Sequence, residues 1–251
     1  NPLSRLGFCD DYGLLPDVTS HELDLKVSLS VKKHASFTML SGLLSANTKL
    51  ESLSIRSLDT EHIEPLAQAL RINRTIRTLT LHHQHKTHSS EVSLPVQKLN
   101  GASGDESIAI RGELGRISTA VVGHLIAANT SLEELRLGRT QLGSEGGNIF
   151  EHLTPAFANP ASRLTALDLS DNQLGDRGGA KLFAALLGGV KSNISRLSLA
   201  SNALKDETGR AMNDVLRADG CTLASLDLSG NQISGLLLAR AVKFSTSLTQ
   251  L

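Results

Sequence analysis

Four histidines, His82, His83, His85 and His88, form the densest group of metal-capable side chains in the chain. Zinc would need three or four converging nitrogen or sulfur ligands. No cysteine lies near, and residues 84–104 are rich in Ser and Gly and contain Pro95. The expectation there is a polar loop, with no metal and no cofactor. Catalytic patterns are equally thin. No glycine-framed nucleophile occurs, and residues 101–104 are too short for a phosphate loop and lack its lysine. The chain reads as a non-enzyme.

Charge is the other chemistry available. Arg56, His82, His83, Arg111, Arg136 and Arg139 come first in the chain, and Asp168, Asp171 and Asp227 follow. What would bring these residues onto one wall is a repeat. Leu23, Leu53, Leu79, Ile108, Leu135, Leu167, Leu197, Leu226 and Leu251 are equivalent fourth-place residues, with spacings of 30, 26, 29, 27, 32, 30, 29 and 25. A period of this length falls at or just beyond the long end of the leucine-rich range of about 20–29 residues. Each unit opens with a short strand whose fourth and sixth places are apolar, as in Leu167 and Leu169 or Leu226 and Leu228. Side chains alternate along a strand, so those two point inward and the third, fifth, seventh and eighth places point outward.

A helix follows each strand. Ile63, Leu66, Ala67 and Leu70 show helical spacing, as do Met212, Val215 and Leu216. Acids such as Glu61, Glu64, Asp176, Asp206 and Glu207 sit in the first turns, where the positive helix end favours them. Asn47, Asn73 and Asn129 end helices, since asparagine tolerates the left-handed conformation needed there. A strand is about 4.8 Å wide and a helix about 10 Å, so stacking one against the other bends the array. The product is an α/β horseshoe, a solenoid with a parallel sheet on the concave side and helices on the convex side. Asn172, Asn202 and Asn231 take the ninth place, where the chain leaves the strand; each amide can bridge unpaired backbone groups to the neighbouring unit.

The stretch from Leu167 to Asp176, with Leu169, Asn172 and Leu174, resembles the ribonuclease-inhibitor-like subclass of leucine-rich repeat proteins, and so does Leu226 to Ile233. The resemblance covers residues 20–251 and is strongest from Leu132 onward. That subclass includes enzyme inhibitors, innate-immune sensors, a Ran GTPase-activating protein, actin-capping proteins and cytoskeletal or ciliary scaffolds. It implies protein–protein recognition, with function residing in the site rather than the fold. The expected role is a non-catalytic interaction module or scaffold in a larger intracellular assembly, docking partners on the concave face or on the irregular loop. The alternatives are the ligand-sensing domain of an innate-immune-type receptor and a Ran-type GTPase activator.

On this reading residues 1–19 are an irregular lead-in and 20–251 are about eight repeats, with an irregular one at 82–107. Asn1 is not a methionine and Leu251 falls mid-repeat, so a piece of a longer, C-terminally open array is expected. Charges balance at 25 of each sign, which gives no field for nucleic acid or membrane. Cys9 and Cys221 lie far apart, and an unpaired pair fits a reducing compartment, cytoplasmic or cytoskeleton-associated. Sequons begin at Asn73, Asn129 and Asn193; these asparagines are read as helix ends rather than glycan acceptors. On the concave wall Arg56, His82 and Arg111 would form a column about 5 Å per step. A protein partner with an acidic segment would relieve its repulsion, unless Glu51, Glu133 and Glu134 do so from within.

Overall fold

The computed structural model describes residues 22–25, 41–56, 58–84, 89–143, 149–187 and 192–251. The lead-in at 1–19, Cys9, His85 and His88 lie outside them. Nine strands are described: β1 (Glu22–Leu25), β2 (Ser52–Ile55), β3 (Thr78–Gln84), β4 (Ser89–Pro95), β5 (Ser107–Ala109), β6 (Glu134–Arg136), β7 (Ala166–Asp168), β8 (Arg196–Ser198) and β9 (Ser225–Asp227). Between them come helices at residues 41–46, Ile63–Ile72, Val96–Leu99, Arg116–Ile126, Ile149–Ala158, Gly175–Leu187 and Asp206–Arg217, and Gly235–Phe244 closes the series.

The fourth-place residues stack as expected in two runs. Leu23, Leu53 and Leu79 are successive parallel partners, and Ile108, Leu135, Leu167, Leu197 and Leu226 are another such series. Leu53, Leu79 and Leu135 are fully buried. The parallel pairing expected from the repeat is present, but in two sheets rather than one continuous sheet. β1–β4 form one sheet and β5–β9 another, and β4 runs antiparallel to β3. Residues 84–104 are therefore not a loop throughout. Val92 and Leu94 alternate with Glu91 and Ser93, and burying the two apolar side chains at 1% and 0% exposure outweighs the turn-forming composition. Pro95, whose missing N–H suits a strand end, then leads into the Val96–Leu99 turn of helix.

The helix side bridges the interrupted sheet. The buried apolar residues form one cluster from Leu44 to Ala241. Arg71 Nε donates to the His124 carbonyl at 3.0 Å, joining Ile63–Ile72 to Arg116–Ile126. Asparagines at the helix ends do the same. Asn73 Nδ2 donates to the carbonyls of Leu44 and Asn47 at 2.7 and 2.8 Å. Asn100 reaches Leu70, Asn129 reaches Lys98 and Leu99, Asn159 reaches Ala127 and Asn193 reaches Ser162. Asn73 and Asn129 are 1% and 2% exposed, so their amides serve the stack and offer nothing to a glycan.

Helix starts are also held from the preceding repeat. The Asp176 carboxylate accepts the backbone N–H groups of Lys205, Glu207 and Thr208 at 2.8–3.0 Å, capping Asp206–Arg217. Burial pushes its pKa up, but those hydrogen bonds outweigh burial and hold it below the usual carboxylate range. Asp206 repeats the device on Ser234.

Candidate functional site

The concave wall is built on the outward places of the strands. From β6 to β9 the turns after the strands are fixed by the ninth-place asparagines Asn172, Asn202 and Asn231, whereas the ninth place after β5 holds Glu113. Asn202 is fully buried; its Oδ1 accepts from the N–H groups of Asn172 and Leu174, and its Nδ2 donates to Leu169, Leu199 and Ala200. Asn172 and Asn231 make the same set toward their own preceding repeats. These bonds hold non-glycine residues at positive φ, namely Arg139 and Gln141, Asp171 and Gln173, and Ser201 and Ala203. The ladder thereby places Arg139 and Asp171 at the rim of the wall.

Among the sequence-derived site residues, Arg136, Asp168 and Asp227 lie on strands of β6–β9, and the charges there are paired differently from the expected basic row. Arg136 lies 2.7 Å from Glu134, and Arg139 lies 3.2 Å from Asp171. Arg163 pairs with Glu133, and Arg77 with Glu51 at 3.9 Å. The hydrogen bond from Arg136 above all, then those from Ser107 and the nearby charges of Arg136 and Arg196, keep the Glu134 carboxyl low against the opposing effect of burial. Asp168 accepts the Ser170 N–H at 2.9 Å, and a Cβ at Gly138 would come within 2.9 Å of Ser170 Oγ. Asp227 accepts from Ser229 and Ser198; the Ser229 bonds are the main reason its carboxyl is held low.

The column of Arg56, His82 and Arg111 is corrected. The pairing of Ile55 with Leu81 puts Arg56 level with His82. The next strand is not β5 but β4, and the partner of His82 is Glu91. His82 Nδ1 lies 3.5 Å from Glu91 Oε2, and its Nε2 lies 3.0 Å from Ser54 Oγ. The Glu91 carbonyl is 3.6 Å from where a Cβ on Gly112 would stand, beside Arg111. The chain thus inserts its own acid where the basic column was expected. Arg111 is exposed and makes no ion pair among the described residues. His83 lies in β3 opposite Ser90. Sequence reasoning gave Ser54, as an outward fifth-place residue, no role and missed Glu91 and Arg196; the alternation of Glu91, Val92, Ser93 and Leu94 was the signal that could have found Glu91.

One group of metal-capable side chains converges among the described residues. Asp59, Glu61 and His62 bring ligand atoms within 4.8 Å of one another. They precede Ile63–Ile72, whose positive end repels a cation and attracts carboxylates, so the group answers the helix dipole. No helix among the described residues is long and apolar enough to cross a membrane.

A leucine-rich repeat family model matches residues 128–147, 163–183 and 221–236. Ribonuclease inhibitor of Sus scrofa is 31% identical over 188 residues, covering 74% of this chain and 40% of that protein. Its counterpart in Mus musculus is 30% identical over 189 residues, with the same coverage of 74% and 40%. A Tonsoku-like protein of Bos taurus is 41% identical over 91 residues, 36% of this chain and 6% of that one. The chain spans about 40% of the length of the ribonuclease inhibitors it matches. Strand-and-helix units, the asparagine ladder and these relatives agree: the chain is a leucine-rich repeat protein of the ribonuclease-inhibitor-like kind.

Proposed function

We propose that the chain is a protein-docking module without turnover chemistry of its own, seating its partner on the concave wall of β5–β9. The observation carrying this reading is the asparagine-held turn, which fixes exposed side chains of both signs on a rigid surface. The partner segment presents carboxylates to Arg111, Arg136 and Arg139. The internal pairs of the latter two do not prevent this. Arg139 is 84% exposed, and such surface pairs contribute only about 0–1 kcal/mol, so a partner's carboxylate replaces the internal one at little cost. Binding of this kind is steered by charge and weakened by salt. The ribonuclease inhibitors bind ribonucleases by name, and for this chain the parallel supports a protein ligand; a place in a larger intracellular assembly belongs to the same proposal.

The test is site-specific photo-crosslinking from Ser198 on the wall and from Arg210 on the helix side, followed by charge reversal. Partner adducts from Ser198, and at least a tenfold loss of affinity in Arg111→Glu with Arg136→Glu, are expected. Adducts from Arg210 alone, or unchanged affinity after charge reversal, would sink the reading.

A further inference from the structure

The β2–β3–β4 part of the wall carries a second arrangement that docking does not use. Ser54, His82 and Glu91 sit on three adjacent strands at the same face. Ser54 Oγ is 3.0 Å from His82 Nε2, and His82 Nδ1 is 3.5 Å from Glu91 Oε2. This is the order hydroxyl, imidazole, carboxylate that activates a nucleophile: a base within hydrogen-bond reach and a third group orienting the base. The first distance is within the working range, and the second is of the looser kind seen without a bound substrate. The tautomer that lets Ser54 donate to Nε2 carries its proton on Nδ1, aimed at Glu91. His82 is 26% exposed and Glu91 67%, so a small reagent in solution reaches the row. The rung beside it is a built-in control. Thr80 Oγ1 and Ser93 Oγ are 3.1 Å apart and have no imidazole between them.

We propose that Ser54 is a reactive serine, acylated or phosphonylated by activated acyl or phosphonyl donors, with His82 as its base and Glu91 as the positioning residue. In the step, Ser54 Oγ attacks the acyl carbon or the phosphorus and a new O–C or O–P bond forms. The bond to the leaving group breaks, and that group departs with the electron pair. The Ser54 proton passes to His82 Nε2 and from there to the leaving group or water. Ser54 lies inside a strand paired on both sides, so its backbone amide belongs to the sheet and not to an oxyanion hole. The modification is therefore stoichiometric, one group per chain, and stands beside the docking role rather than replacing it.

The 251-residue chain, without any partner, is treated with a fluorophosphonate probe and the adduct mapped by peptide mass spectrometry. The expected adduct is on Ser54. It is absent in Ser54→Ala, slowed on the order of 100-fold in His82→Ala as befits loss of a general base, and unchanged in Ser93→Ala. Added imidazole restores labelling to His82→Ala but not to Ser54→Ala, an outcome that a purely structural histidine would not give. Glu91→Gln slows labelling while leaving the circular dichroism melt unchanged. An adduct spread over surface serines, or a Ser54 rate no greater than that of Ser93, overturns the proposal. Neither result bears on whether Arg111 and Arg136 dock a partner.

Discussion

The two sheets leave their strands in different ways. In β5–β9 the chain turns after about three strand residues, and Asn172, Asn202 and Asn231 tie the turns after β6, β7, β8 and β9 to one another. In β1–β4 the ninth place holds Leu58 after β2 and Gln84 in β3. With no asparagine to close the turn, β3 runs on for seven residues and its successor comes back antiparallel. The amide fixes the turn where it occurs but does not by itself make the next rung parallel, since β2 with Leu58 and β5 with Glu113 in that place are also followed by parallel strands. Between β3 and β4, burial of Val92 and Leu94 favours the antiparallel return.

The sharpest way to break that comparison is Asn202→Ala. It strands buried N–H and C=O groups in two repeats, so a loss of about 3 kcal/mol or more in denaturant unfolding is expected. A loss below about 1 kcal/mol would mean that leucine packing alone sets the turns. Next comes Leu94→Ala, expected to cost about 2–4 kcal/mol because Leu94 is a fully buried rung of β4. A value near zero would return this segment to the status of a surface loop.

Asp176→Ala should cost about 1 kcal/mol at neutral pH, the ordinary size of a helix cap. Its folded pKa is lowered, so the contribution is full above the unfolded carboxylate value of about 3.9. It is lost as pH falls through the lower folded value. Wild type and variant should therefore converge in stability in acid, as thermal melts across pH would show. The smallest effect belongs to Arg139→Ala, within about 0.5 kcal/mol of wild type in the same melts, because its pair with Asp171 is exposed.

Much of the fold was legible in the leucines. Their phase places β2, β3 and β5–β9 within a residue or two, and the ninth-place asparagines do what their donor and acceptor capacity allows. β4 was hidden because Ser89, Ser90 and Ser93 carry a turn-like composition, and the period-2 signal rests on only Val92 and Leu94. The wall was half legible. Register puts Arg136, Asp168, Ser198 and Asp227 on successive strands, as spacing implies. Which charges meet across strands depends on side-chain reach, so Arg163 with Glu133 and His82 with Glu91 could not be read from spacing alone. The basic column held from Arg56 to His82 and failed at its second step, to Arg111, for a topological reason, an inserted strand.

The reversed strand also bears on how the molecule would carry load. Among the described residues no strand pairing joins β4 to β5, whereas the helices on either side are tied through Arg71 and Asn129. Pulled from its two ends, the solenoid has a seam there, where tension runs through one layer instead of two. Stretched in an optical trap, it should yield in two steps, parting first along that line into a short N-terminal block and a longer C-terminal one.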